Sequence, residues 1–168
     1  KLRLRTYSLL DLKKEKEIFF EIKRKQSATI IKDRGIFSYN TYKLLKENKK
    51  IFFKKNKKEI RKKETLESFL ALKKKFNMTP RLKVIYDREP LEAVNYKNLR
   101  ITFDSNIQAC RANDNSTNGY YKKLLPKKFV LEVKFRGILP YWFHNIIQKY
   151  QLQRISFSKY CQAVETVL

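Results

Sequence analysis

Strand-like alternation of apolar and basic residues is the feature that most restricts the fold of this chain. The sequence opens KLRLR, in which Leu2 and Leu4 take one face of an extended segment and Arg3 and Arg5 take the other. A period of two residues is typical of a β-strand with one face on a hydrophobic core. Similar alternation recurs later in the chain, and we predict further strands over residues 18–25, 28–34, 82–88, 99–104 and 129–136.

Basic side chains on so many strands favour a closed sheet. A flat sheet gains little from Arg or Lys placed two residues apart on every strand. If those faces converge inside a closed or nearly closed antiparallel barrel, the interior becomes a positively lined tunnel, whose unpaired charges carry a large desolvation and repulsion penalty. A bound phosphate chain removes that penalty. We therefore predict an α+β fold, an antiparallel β-barrel with flanking helices, that binds such a chain.

Helical spacing interrupts the predicted strands over residues 39–76. Apolar residues recur there every three or four positions between lysine-rich stretches, which predicts two helices in a lysine-rich insert. We interpret its charges as solvated faces, and the alternative is a surface that docks phosphate chains or an acidic membrane. Pro140 opens a further helix to about residue 150, and Ser158 caps a last helix that ends near residue 167.

The charge of the chain calls for a polyanionic partner. The length fits a single domain over residues 1–168, and the formal net charge of +24 opposes compaction unless anions offset it. Cys110 and Cys161 lie far apart and give neither a disulfide framework nor a zinc site. No apolar stretch of the sequence approaches the ~20 residues that cross a bilayer. We expect a reducing, cytoplasmic location, which includes the cytosolic face of a membrane.

Arginine concentrates in the predicted strands. The guanidinium fork binds two phosphate oxygens at once, so arginine is expected where successive phosphates are held in register. The arginines that lie in predicted strands or end them include Arg3, Arg5, Arg34, Arg88, Arg100 and Arg136.

One acidic residue, Glu132, stands beside Lys134 on a face that is predicted to bind phosphate. A divalent ion explains an anion at such a position, because Mg²⁺ or Mn²⁺ is commonly held by one or two carboxylates together with substrate phosphate oxygens. The alternative is an ion pair to Lys134 or Arg136, and spacing does not decide between the two. Asp104 and Glu21 are weaker candidates for the same role.

Six segments, taken in order, are characteristic. They are KLRLR at residues 1–5, FEIK at 20–23, YDR at 86–88, LRITFD at 99–104, LEVK at 131–134 and SFSKYC at 156–161. This order resembles the VTC (vacuolar transporter chaperone) polyphosphate polymerase domain, which has the triphosphate tunnel fold of the CYTH-like superfamily. The resemblance covers nearly the whole chain.

The resemblance implies a phosphotransferase that moves the terminal phosphate of ATP onto a growing polyphosphate chain in a basic tunnel. It implies that Glu132 holds a divalent metal, manganese or magnesium, and that Lys32, Tyr86 and Ser158 support phosphate binding. The main catalytic contacts with phosphate are carried over to Arg3, Arg5, Lys23, Arg88, Arg100, Lys134 and Lys159.

The start of the sequence departs from the family pattern. Family members carry a further N-terminal portion, with its own tunnel strand, before the segment that resembles KLRLR. We therefore expect one or more N-terminal strands to be missing and the barrel to be incomplete.

Other functions stay open at this point. A non-catalytic polyphosphate-binding domain of the same fold keeps the basic tunnel, although the retained Glu132 favours catalysis. A triphosphate hydrolase of this fold is disfavoured by the VTC-like SFSKYC segment. A basic nucleic-acid-binding module would also explain the charge, but no RRM, KH or helix-turn-helix signature occurs, and we expect no sequence-specific nucleic-acid partner. The expected partners are ATP and polyphosphate, with an acidic membrane surface or a membrane partner for the lysine-rich insert.

Overall fold

The computed structural model describes residues 1–7, 17–26, 29–96, 98–112 and 120–168. Within these ranges the chain forms two compact units, Lys1–Thr79 and Pro80–Leu168. Each unit contains one antiparallel sheet followed by two helices.

The first unit is a three-stranded sheet with two helices after it. Strands β1 (Leu2–Arg5), β2 (Ile18–Gln26) and β3 (Thr29–Phe37) lie side by side in chain order. Helix α1 (Tyr39–Lys46) begins at Ser38, and helix α2 (Lys57–Lys75) begins at Asn56. In both cases the capping side chain accepts a hydrogen bond from the third backbone N–H that follows it, which satisfies a free donor of the first turn.

The core of the first unit lies between one face of this sheet and α2. Ile18, Phe20 and Ile22 alternate along β2 and pack with Leu66 and Phe69 of the helix. The ring centroids of Phe20 and Phe69 are 5.1 Å apart in an edge-to-face arrangement, which is a favourable geometry for buried aromatic pairs. Because only a narrow stripe of α2 is apolar, most of its lysines remain at the surface.

Gly35 on β3 permits the packing of an aromatic ring in this core. A Cβ atom at this position would lie 2.5 and 2.9 Å from ring atoms of Phe37. Glycine therefore lets the Phe37 side chain cover the backbone of its own strand.

The second unit is built around one long strand. Strand β5 (Arg100–Arg111) pairs along its length with β4 (Leu82–Glu92), and its other edge pairs with β6 (Lys122–Lys123) and β7 (Val130–Lys134). Helices α3 (Tyr141–Lys149) and α4 (Lys159–Val167) follow.

A bulge divides one face of this second sheet into an apolar and a charged half. The register of β4 and β5 shifts between Ile85 and Asp87, and Asn106 on β5 has a positive φ of 49°. On the near side of the shift, Ile107 and Ala109 pack against Ala163 of α4. Past the shift, towards Arg100, the same face carries charged residues. One of them, Asp104, contacts Lys159 in the first turn of α4.

The helices and strands predicted from alternation and helical spacing are present, but the predicted barrel is not confirmed. The described strands form two antiparallel sheets, of three and four strands, and neither sheet closes on itself into a barrel. The single tunnel domain over residues 1–168 and the missing N-terminal strand stay predictions. Every helix in the described ranges is too short or too polar to cross a membrane.

Candidate phosphate-binding faces

The first sheet turns a charged face away from its core. Strand pairing places Arg3 and Arg34 on either side of Glu21, whose side chain is fully buried. Arg3 Nε donates to one Glu21 carboxylate oxygen at 2.6 Å, and Arg34 Nε donates to the other at 2.9 Å. Lys32 Nζ lies 2.9 Å from the same carboxylate. One carboxylate thus holds three basic side chains in place.

The carboxylate of Glu21 stays ionised despite its burial. Burial alone would raise its pKa, but hydrogen bonds from Lys32 and Arg3, together with their positive charges, lower the pKa from 4.5 to about 2. The cluster therefore carries a fixed negative charge at neutral pH, and its cations outnumber it.

Arg5 and Lys23 extend this face on either side of Glu21. The Arg5 guanidinium lies 4.4 Å from the ring centroid of Tyr7, donates a hydrogen bond to the Tyr7 hydroxyl, and lies 5.2 Å from the ring of Phe19. Lys23 pairs in register with Lys32. We call Arg3, Arg5, Lys23, Lys32 and Arg34, around Glu21, the first basic face.

The second sheet repeats this arrangement with a different carboxylate. Asp104 is fully buried, and Arg88 on the neighbouring strand binds it through two parallel hydrogen bonds of 2.6 and 2.7 Å. Lys159, in the first turn of α4, places Nζ 2.5 Å from the same carboxylate. Burial opposes ionisation of Asp104, but the hydrogen bonds from Arg88 and Lys159 keep its pKa below the ordinary value. Asp104 in turn raises the pKa of Arg88.

Tyr86 and Ser158 position the cations of this cluster. Arg88 and Lys159 lie over the Tyr86 ring, at 5.4 and 4.9 Å from its centroid. Ser158 caps α4, because its Oγ accepts a hydrogen bond from the backbone N–H of Cys161 at 3.3 Å. The cap fixes the helix start from which Lys159 projects.

Glu132, Arg100 and Lys134 form the more exposed part of the second sheet's charged face. Glu132 lies 3.1 Å from Lys134 Nζ and 3.4 Å from an Arg88 nitrogen. Arg100 pairs in register with Lys134 and lies 3.7 Å from Glu92. The side chains of Arg100 and Lys134 are 51% and 64% exposed, so neither is held as firmly as Arg88. The four cations Arg88, Arg100, Lys134 and Lys159, with Asp104 and Glu132, form the second basic face.

Metal binding at Glu132 stays a prediction. The described residues contain no cluster of three or more His, Cys, Asp or Glu side chains suited to a metal ion. A single carboxylate next to bound phosphate still fits Mg²⁺ or Mn²⁺, which take most of their remaining ligands from phosphate oxygens and water. The ion pair between Glu132 and Lys134, which the sequence left open as the alternative to metal binding, is present.

Each residue predicted for the site either belongs to one of the two basic faces or helps to position a side chain of a face. The first face holds Arg3, Arg5, Lys23 and Lys32; the second holds Arg88, Arg100, Lys134, Lys159 and Glu132, and is supported by Tyr86 and Ser158. Phosphate contact by these residues stays a prediction. The resemblance did not assign a role to Arg34, although its alternation with Lys32 is visible in the sequence.

A comparison with known protein families identifies the family of the chain. The family model described as VTC domain matches residues 1–168. A search of curated proteins finds no match to the chain. The family model covers every residue of the sequence, and membership of this family indicates a polyphosphate-related function. The chain therefore belongs to the VTC domain family.

Proposed function

We propose that the protein is a polyphosphate polymerase that transfers the terminal phosphate of ATP to a growing inorganic polyphosphate chain. The observation that carries this proposal is that each basic face builds an excess of positive charge around one fully buried carboxylate. Three of the five cations of the first face pair with Glu21, and three of the four cations of the second face pair with Asp104 or Glu132. The closure of these strands into a tunnel belongs to the same proposal.

The buried carboxylates explain how the basic residues can be ready for a ligand before it arrives. A cluster of cations on a bare sheet would repel itself and leave its side chains disordered. Glu21 and Asp104 instead orient their partners, and the side chains of Arg3, Arg34 and Arg88 stay 31%, 35% and 29% exposed, so a ligand can reach them. A phosphate chain is a matching ligand, because each phosphate presents several acceptor oxygens.

Phosphoryl transfer depends mainly on such positioning of charged groups around the phosphates. An anionic oxygen at the end of the polyphosphate chain attacks the terminal phosphorus of ATP, the bond to ADP breaks, and ADP leaves. The attacking group is already ionised, so no general base is needed. Arg88, Arg100, Lys134 and Lys159 would stabilise the negative charge on the transferred phosphoryl group. A divalent ion held by Glu132 would neutralise further phosphate charge. Because ATP is the proposed substrate, we propose a cytoplasmic location.

A non-catalytic polyphosphate-binding domain is the second candidate. Glu132 is engaged by Lys134 and Arg88, which is what a purely structural ion pair would look like. Such a domain would keep both basic faces and would not need a metal.

Polyphosphate synthesis from ATP with Mn²⁺ or Mg²⁺ separates these functions. We expect synthesis by the wild-type protein, strong loss in Glu132→Gln and Arg100→Gln, and no loss in the control Lys128→Gln, which removes an exposed lysine that belongs to neither face. No synthesis, with tight polyphosphate binding that Arg100→Gln weakens, would leave a binding domain. Release of orthophosphate from tripolyphosphate without chain growth would instead identify a hydrolase.

A further inference from the structure

The segment of residues 49–58, which runs from the end of α1 into the first turn of α2, concentrates positive charge in residues that belong to neither basic face. Its sequence KKIFFKKNKK contains Lys49, Lys50, Lys54, Lys55, Lys57 and Lys58 and no acidic residue. In the described part of the chain only Lys49 has a carboxylate partner, Glu47 at 2.8 Å. The other five lysines have no described ion pair. This loop, which we call the basic loop, therefore presents unneutralised charge to solvent.

The helix that follows adds to this positive potential. Lys57 and Lys58 lie in the first turn of α2, where the helix dipole already places partial positive charge. Cations at a helix start are unfavourable for the helix itself, and Glu59 in the same turn is engaged by Lys62 at 2.8 Å. An anionic partner at the basic loop would relieve both the helix dipole and the repulsion among the lysines.

An exposed aromatic residue lies in the middle of these lysines. Ile51 and Phe53 pack against the core of the first unit, and they anchor the loop on either side of Phe52. The alternation turns Phe52 outward, where it is 91% exposed. An apolar ring held between pairs of lysines is a combination suited to the interface of a bilayer, in which the ring enters the acyl boundary and the lysines meet the headgroups.

We infer that the basic loop docks on an anionic lipid surface, with Phe52 inserted. Inorganic polyphosphate offers no apolar group to Phe52, and the basic residues of the loop differ from those of the two faces. All six are lysines, which act as point charges in a diffuse headgroup field. The faces also use arginine forks, which recognise individual phosphates. Charge complementarity and the exposed ring together favour a lipid surface, and this inference does not depend on the proposed polymerase activity.

Vesicle co-sedimentation tests the docking of Phe52 directly. We expect the protein to bind vesicles of phosphatidylcholine with phosphatidylserine and not vesicles of phosphatidylcholine alone. Phe52→Ser should lower the apparent affinity for the anionic vesicles by roughly tenfold, because the ring no longer contributes buried apolar area. The matched control is Ile138→Ser in the second unit, which removes an apolar side chain that is 92% exposed and should leave the affinity unchanged.

The charge of the loop is tested by a pair of double variants. Lys54→Gln with Lys55→Gln should lower vesicle affinity by roughly thirtyfold, because each lysine near an anionic surface contributes about 1 kcal/mol. Lys73→Gln with Lys74→Gln removes the same charge from the other end of α2 and should have a much smaller effect. All of these side chains are exposed, so thermal unfolding should be unchanged in every variant.

Two outcomes would overturn the inference. Equal vesicle binding by Phe52→Ser and Ile138→Ser would show that the ring does not enter the membrane. If Phe52→Ser weakened the binding of single-stranded RNA while vesicle binding stayed at the wild-type level, the loop would be a nucleic-acid surface.

Discussion

Two buried carboxylates, Glu21 and Asp104, organise most of the basic side chains. Breaking a buried ion cluster by neutralising one member leaves its partners without their counter-charge and typically costs several kcal/mol. We expect Glu21→Gln to lower the free energy of unfolding by about 3 kcal/mol, measured by urea denaturation. The control Glu67→Gln removes an exposed carboxylate with a lysine at 3.7 Å and should cost less than about 0.5 kcal/mol. Equal losses in the two variants would mean that Glu21 does not hold the face together.

The lowered pKa of Glu21 also predicts a pH dependence. A carboxyl group whose pKa is lower in the folded chain than in the unfolded chain stabilises the fold at pH values above its unfolded pKa. That contribution is lost as the pH falls from about 4.5 towards about 2. Asp104, whose pKa is also lowered, acts in the same direction.

Urea denaturation at a series of pH values measures this effect. The free energy of unfolding should fall steeply below pH 4.5 in the wild-type protein and less steeply in Glu21→Gln, which has no group to protonate at that position. Parallel pH profiles in the two proteins would rule out the ionised Glu21 as the cause.

Residue roles were only partly predictable from the sequence. Alternation identified the basic positions, because strand period alone decides which residues share a face. It singled out Glu132 as a metal ligand, which stays a prediction, and it did not indicate that Glu21 and Asp104 are the buried acids. Burial depends on which strands pair and on what covers them, and spacing along one strand carries no information about either.

The start of α4 is the clearest case in which one element places a side chain of a basic face. Ser158→Ala removes the hydrogen bond to the Cys161 N–H and should cost about 1 kcal/mol of stability. Because Lys159 directly follows the cap, polyphosphate affinity should fall as well. Ser38→Ala removes the corresponding cap of α1 and should cost similar stability with no change in affinity. Loss of affinity in both variants would show that the effect comes from general destabilisation.

Element boundaries differ from the sequence predictions at identifiable places. Strand β5 continues to Arg111, well past the predicted end at residue 104, because the bulge at Asn106 interrupts the alternation without ending the pairing. Strand β4 continues through Pro90 to Glu92. In the described part of the chain β4 is an edge strand, and an edge strand tolerates a proline because one of its edges needs no backbone donor. The last helix, α4, matches the prediction because Ser158 gives a strong local start signal.

At the scale of the whole molecule, the net charge of +24 sets the response to ions. Self-repulsion should make the free protein less stable at low salt, so sodium chloride should raise its unfolding temperature. Polyphosphate should raise the unfolding temperature further at constant ionic strength, because it binds the folded chain. Thermal scans with and without polyphosphate measure both effects. No further rise with polyphosphate would contradict specific binding by the folded protein.

The family and the α+β class followed from ordered sequence segments, whereas the barrel did not follow from alternation. Alternation shows that a strand has two different faces, but it does not show which strand edges pair. Segments such as KLRLR and SFSKYC identify the family, and the two separate sheets in the described residues are the result of pairing that no single segment encodes.

A polyphosphate titration of the double variant Arg100→Gln with Lys134→Gln tests the central claim most directly. Both side chains are at least half exposed, so the free energy of unfolding should stay near the wild-type value while Kd for polyphosphate rises by roughly a hundredfold. The control Lys128→Gln should bind as the wild-type protein does. A double variant that unfolds normally and binds polyphosphate with the affinity of the control would contradict phosphate binding by the second basic face.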